Sequence, residues 1–278
     1  MKFLTFSKIS NSYVVSGAML CMVALLAIAG CGGGDTDAPA DTAPPVDTAA
    51  SESSSETTAE STSASGVQGR VLFDGPAPKR FELDIEADLV CHESHVEPLL
   101  SETEVISTDG GVRWAFVYVK NPPEGEIPVP EEHVVLDQIG CKYVPHVLGM
   151  RAGQVLDIKS SDETTHNVRS FPSRSGGNKA FNISLTGPGI RERKKSFSKA
   201  EPHVKVKCDI HPWMTGYVFS MAHPFFAVTD ENGNFSIDGL PAGEYTLVSW
   251  HETYGEQETT VTVEEGATSE TTFTYAPE

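Results

Sequence analysis

The chain has 278 residues, 39 of them acidic and 20 basic, for a formal net charge of −19, and 39% of its residues are hydrophobic. That length buries a core in one large or two small β domains. The acidic excess argues against nucleic acid and against adsorption to anionic lipid, and it suits a basic protein partner without identifying one.

Lys2 and Lys8 precede a short apolar run over 18–29 that ends in Ile28, Ala29, Gly30 and Cys31. The run is shorter than the ~20 residues of a spanning helix, so residues 1–30 read as an export signal rather than a transmembrane anchor. Small residues ahead of Cys31 give a peptidase access to the backbone, and the thiol can take a lipid. The tetrapeptide resembles the bacterial lipobox. The resemblance implies cleavage before a lipidated Cys31, and an exported lipoprotein on the cell or outer membrane, facing the periplasm or exterior.

Residues 31–66 form the expected tether. Between 32 and 65 there is one valine, no aromatic residue and no Lys or Arg, while acids stand at Asp35, Asp37, Asp41, Asp47, Glu52, Glu56 and Glu60. Such a composition buries too little apolar surface to offset ordering entropy.

Five cysteines are present. With Cys21 in the leader and Cys31 lipidated, Cys91, Cys141 and Cys208 remain in an oxidising compartment. A Cys91–Cys141 disulfide would leave Cys208 as a special thiol. The histidines in CHESH (91–95) and CKYVPH (141–146) leave a second metal site open as the alternative.

The strongest local signal is VKVKCDIHPWMTGYVF over 204–219: an alternating strand, a compact loop and a second apolar strand. The loop carries Cys208, His211 and Met214. A thiolate, imidazoles and a weak thioether suit copper cycling between Cu(I) and Cu(II). A further imidazole must come from elsewhere, and His166 in DETTHNV (162–168), after the strand GQVLDIK (153–159), is the candidate. Zinc also accepts a thiolate and two imidazoles, but Met214 tilts the set toward copper.

The order His, then Cys-x2-His-x2-Met, resembles the cupredoxins, and the short loop with Pro after its histidine and the HNV around His166 resemble the amicyanin type. The likeness spans roughly residues 133 to 222. It implies one copper ion held by His166, Cys208, His211 and Met214, with Asn167 bracing the loop. It also implies that electrons pass through an exposed His211 to a transient redox partner docking near His211 and Trp213. Pro212 stiffens the loop and Trp213 covers its edge.

After the loop, FAVTDENGNFSIDGLPAGEYTLVSWH (226–251) alternates strands with Asp/Asn/Gly and Pro/Gly turns. It resembles the carboxypeptidase regulatory-like, transthyretin-like sandwiches. GVQGRVLFDGPAP (66–78) resembles that domain's first strand, with VRWAFVYV (112–119) as its next. The expected fold is all-β: a discontinuous outer sandwich, 67–131 and 223–278, with a cupredoxin Greek-key sandwich over 132–222 inserted in it. Two consecutive domains is the plainer alternative. The basic run RERKK (191–195) reads as a solvated hairpin. His203, His223, His251 and Glu252 have no catalytic spacing and read as structural.

The functional expectation is a membrane-anchored one-electron carrier, not an enzyme. The alternatives are a copper or zinc site with a structural, storage or catalytic role, a red-copper enzyme, or a metal-free adhesion or scaffold module.

Overall fold

Strand-forming residues bounded by turns dominate after residue 65, and a computed structural model folds them almost entirely as β-structure. It describes residues 65–189, 191–194 and 197–277. The expected export signal, Cys31 and the tether up to residue 64 lie outside the described residues.

The elements begin with β1 (Gly66–Phe73), α1 (Leu89–Glu93), β2 (Phe116–Val119), β3 (Val134–Ile139), β4 (Lys142–Val144), β5 (Val147–Arg151), β6 (Leu156–Ser160), β7 (His166–Phe171) and β8 (Asn182–Leu185). They continue with β9 (Arg191–Lys194), β10 (Glu201–Lys207), β11 (Thr215–Met221), β12 (Phe226–Val228), β13 (Asn234–Asp238), β14 (Gly243–His251), β15 (Gly255–Val263) and β16 (Thr268–Tyr275).

β1 lies between β13, antiparallel, and β16, parallel, so the first and last described strands are neighbours. A second sheet runs β12-β2-β14-β15. The strands from β3 to β11 occupy two other sheets, β5-β11-β10-β7-β8 and β4-β3-β6-β9. Chain segments on both sides of 134–221 therefore share sheets with each other.

Side-chain period decides the packing. In β13, Phe235 and Ile237 are buried between exposed polar neighbours, the pattern of a strand with one wet face. β2 does not alternate, because both its faces are covered. Val117 and Val119 enter the core with Val67, Val71, Leu247 and Phe273, while Phe116 points the other way. There it meets Val147, Phe219, Met221 and Trp250, and its ring stacks on Phe219 with centroids 3.7 Å apart. This aromatic seam joins the two sandwiches. Gly149 makes it possible: a Cβ there would sit 2.5 Å from the Phe226 ring and 2.9 Å from Phe116.

Two expectations need correction. The strand expected over 112–119 starts only at Phe116, because Trp114 takes a left-handed backbone, φ 66°. The segment from 81 to 101, assigned by sequence to the outer sandwich, packs on the sheets built from β3 to β11. Ile85, Cys91 and Leu99 are buried with Leu136, Val206 and Cys208. Its backbone pairs within the segment, Leu83 N to Leu99 O and Ser101 N to Phe81 O, so it forms a strap whose buried apolar side chains follow the nearest open core.

Candidate metal centre

The loop 208–214 closes the hairpin between β10 and β11. Cys208 follows the last residue of β10, and the turn is fixed by bonds from Cys208 N to Met214 O (3.2 Å) and Met214 N to His211 O (2.9 Å). The His211 amide lies 3.4 Å from Cys208 Sγ. His166 opens β7, which pairs with β10, so pairing register carries it to the loop.

Three of the four expected ligands converge. His166 Nδ1 and His211 Nδ1 are 2.8 Å apart, and Cys208 Sγ is 3.8 Å from His211 Nδ1. All three donor atoms lie within 4.8 Å of one another. Met214 is buried on the same loop and belongs to the same core cluster as Cys208. Cys208 is the free thiol among the described residues.

Asn167 links the loop to β7 and β8. Its Oδ1 accepts from Asp209 N (2.7 Å) and lies 3.3 Å from Cys208 Sγ, while its Nδ2 donates to Asn182 Oδ1 (2.7 Å). Trp213 lies against His211, ring centroids 5.0 Å apart, and donates its indole N–H to Cys141 O (3.1 Å). Pro212 is exposed.

The expected exposed imidazole is not found: His211 is only 2% exposed. The strap covers it. Asp88 Oδ2 lies 3.1 Å from His211 Nε2, and Cys91 Sγ lies 3.9 Å from the same atom. Cys91 is disulfide-bonded to Cys141. Two further groupings of metal-binding residue types include these cysteines, and a disulfide sulfur is no thiolate ligand.

The electrostatics suit a cation. Burial raises the Cys208 thiol, but the His166 imidazole and neighbouring amides outweigh it and bring it below its usual value. For His166, burial is outweighed by Asp162 and Cys208, which together push it up to about 9. His211 moves down, through burial and the nearby His166, against the pull of Asp88. Burial raises Asp88, yet the Cys91 amide, the Thr164 hydroxyl and His211 hold it at about 2. Asp162 is lowered in the same way, with burial overcome by His166 and the amides of Cys141 and Gly140.

Ionised carboxylates only accept hydrogen bonds. Each Nε2 therefore donates to its carboxylate, which turns the two Nδ1 atoms toward each other beside the Cys208 sulfur, where a bound metal ion would take the place of the His166 Nδ1 proton. A thiolate with two imidazoles and a nearby thioether is a donor set that fits copper.

Asp88 and Asp162 were missed in the sequence. Asp162 stands four residues before His166 and bonds its Nε2 at 2.9 Å, a spacing that could have suggested it. Asp88 carries no such signal. The other polar residues remain outside the site: His203 stacks on Trp250, His223 accepts from Phe225 N, and Glu252 pairs with His146. Residues 191–194 pair with β6 as a strand.

Residues 221–276 match the carboxypeptidase regulatory-like domain family. No curated protein matches the chain. Among solved structures, similarity is found to the amicyanin of Paracoccus versutus at 24% identity, covering 38% of this chain and 97% of that one, TM-score 0.28. A purple cupredoxin from Nitrosopumilus maritimus matches at 22% identity, over 32% and 98% of the two chains, TM-score 0.26. A copper-containing nitrite reductase from Thermus scotoductus SA-01 matches at 23% identity and TM-score 0.29 over 37% of this chain, which spans only 25% of that one.

Proposed function

We propose that this protein is an exported, lipid-anchored carrier of single electrons built on one type 1 copper ion, held by His166, Cys208, His211 and Met214. The observation that carries the reading is the convergence of one free thiol and two imidazole Nδ1 atoms, all buried, at a loop that also holds a buried methionine. When bound, copper supplies the Cu(I)/Cu(II) couple.

The chain's own residues supply rigidity. Asn167 holds the loop amide at Asp209, and the β10–β11 hairpin fixes Cys208 against His211, so the donors need little rearrangement between oxidation states. A thioether from Met214 in place of a hard carboxylate supports a carrier over a red-copper enzyme.

In this reading Cys31 anchors the chain and the acidic tether spaces the folded part from the membrane. A basic redox partner then meets the strap over His211, where Leu89 and Val90 are exposed between the two residues that touch the imidazole.

The test is optical. Full-length protein loaded with one equivalent of Cu(II) should show an intense thiolate-to-copper visible band that disappears on reduction and in Cys208→Ser. A colourless stoichiometric copper complex overturns the assignment.

A further inference from the structure

The two imidazoles carry matching outer partners from distant parts of the chain. Asp162 Oδ2 lies 2.9 Å from His166 Nε2, and Asp88 Oδ2 lies 3.1 Å from His211 Nε2. Each carboxylate is itself held by a cysteine amide: Cys141 N donates to Asp162 Oδ2 (2.8 Å), and Cys91 N donates to Asp88 Oδ1 (3.0 Å). Gly140 N and Thr164 Oγ1 complete the two cradles, at 2.7 and 2.9 Å. The disulfide between Cys91 and Cys141 joins them.

We infer that Asp88 and Asp162 form a disulfide-linked carboxylate clamp that holds both imidazoles with Nε2 protonated and Nδ1 turned to the metal, and that its two charges favour Cu(II) over Cu(I). The inference rests on the copper reading above.

A simpler role for Asp88 is to cap the five-residue helix α1. The cap uses only Oδ1, whereas Oδ2 is given to a buried imidazole of a loop 123 residues away. Capping alone would be served by Ser or Asn. A carboxylate on the far nitrogen of a ligand histidine fixes its tautomer and raises its basicity. Negative charge near the ion stabilises the higher oxidation state by simple Coulomb attraction.

The experiment compares wild type with Asp88→Asn, Asp162→Asn and Asp88→Glu in full-length copper protein. In each Asn variant, Cu(II) affinity should drop about 10–100-fold. A tenfold fall in Cu(II) preference over Cu(I) raises the one-electron potential by about 59 mV. Asp88→Glu, which keeps the charge, should return the potential toward wild type. Nitrogen-15 NMR of the metal-free wild-type protein at neutral pH should show Nε2 of both imidazoles protonated.

An unchanged potential in the Asn variants with the visible band intact overturns the clamp. So does an Asp88→Glu potential shifted as far as that of Asp88→Asn, or an unprotonated Nε2 at either histidine in the wild-type apoprotein. A wild-type protein without the band overturns the copper reading instead, and the apoprotein tautomers then decide the clamp alone.

Discussion

Asp88 Oδ2 stands 3.1 Å from His211 Nε2 although the two residues are 123 positions apart. That contact closes the edge of the candidate copper site that sequence reasoning left open to solvent. It also makes the strap over 81–101 part of the site, so the stability of the strap and access to the metal are one question.

Removing the disulfide by Cys91→Ser with Cys141→Ser should therefore do two things. The closed loop spans a sequence separation of 50, and its loss should cost about 2–4 kcal/mol in denaturant unfolding of the protein. Freed of the cross-link, the strap should open more often, and a chelator should extract copper faster than from wild type. Equal extraction rates would separate the strap from metal access.

Asn167→Ala removes the acceptor for the Asp209 amide and the donor to Asn182. Asp209 and Asn182 are exposed and water can replace the lost partner, so the change should cost about 0.5–1.5 kcal/mol, as for an ordinary hydrogen bond. The metal-free protein should lose stability by that amount in a urea titration, and the visible band of the copper form should shift as the loop loosens around Cys208.

The seam between the sandwiches should be sensitive in both directions. Phe116→Ala empties the position stacked on Phe219 and should cost about 3–5 kcal/mol. Gly149→Ala drives a methyl into the Phe226 and Phe116 rings and should cost about 1–3 kcal/mol. Thermal unfolding by circular dichroism checks both, and a Gly149→Ala protein as stable as wild type would show that the seam yields.

Acid should destabilise the protein through His251. Burial pushes this imidazole down to about 4, against the pull of Glu252 and with a further push from His146. Its Nδ1 accepts from Thr253 N (3.3 Å), the Arg113 backbone only partly offsets the burial, and its ring stacks on Tyr254. As pH falls below about 6.5 the unfolded imidazole binds a proton that the folded one refuses until about 4, so stability declines across that window. The loss attributable to this group is about 2–3 kcal/mol. His251→Phe keeps the stack and should flatten the decline between pH 6.5 and 4 relative to wild type, as read by urea midpoints at each pH.

The ligand loop was legible because its chemistry is local. Cys208, His211 and Met214 lie within seven residues between two strands of plain alternation, and one hairpin brings them together. His166 was legible through its own strand and the resemblance of its surroundings. The turn signals around Gly233 and Gly239, both with positive φ, marked the strands after the loop because few other residues take that backbone cheaply.

Other features depended on long-range packing. The sequence by itself determined an all-β chain and the local donor set, through period-two burial and the spacing of soft ligands. Only the tertiary structure decided where the segment from 81 to 101 would lie. Its apolar residues keep a period of two only across Phe81, Leu83 and Ile85, too short a run to tell Ile85, Cys91 and Leu99 which core to join. That decision brought Asp88 to His211 and buried an imidazole expected at the surface, because a hydrogen bond across 123 residues is set by how sheets stack and not by any spacing along the chain.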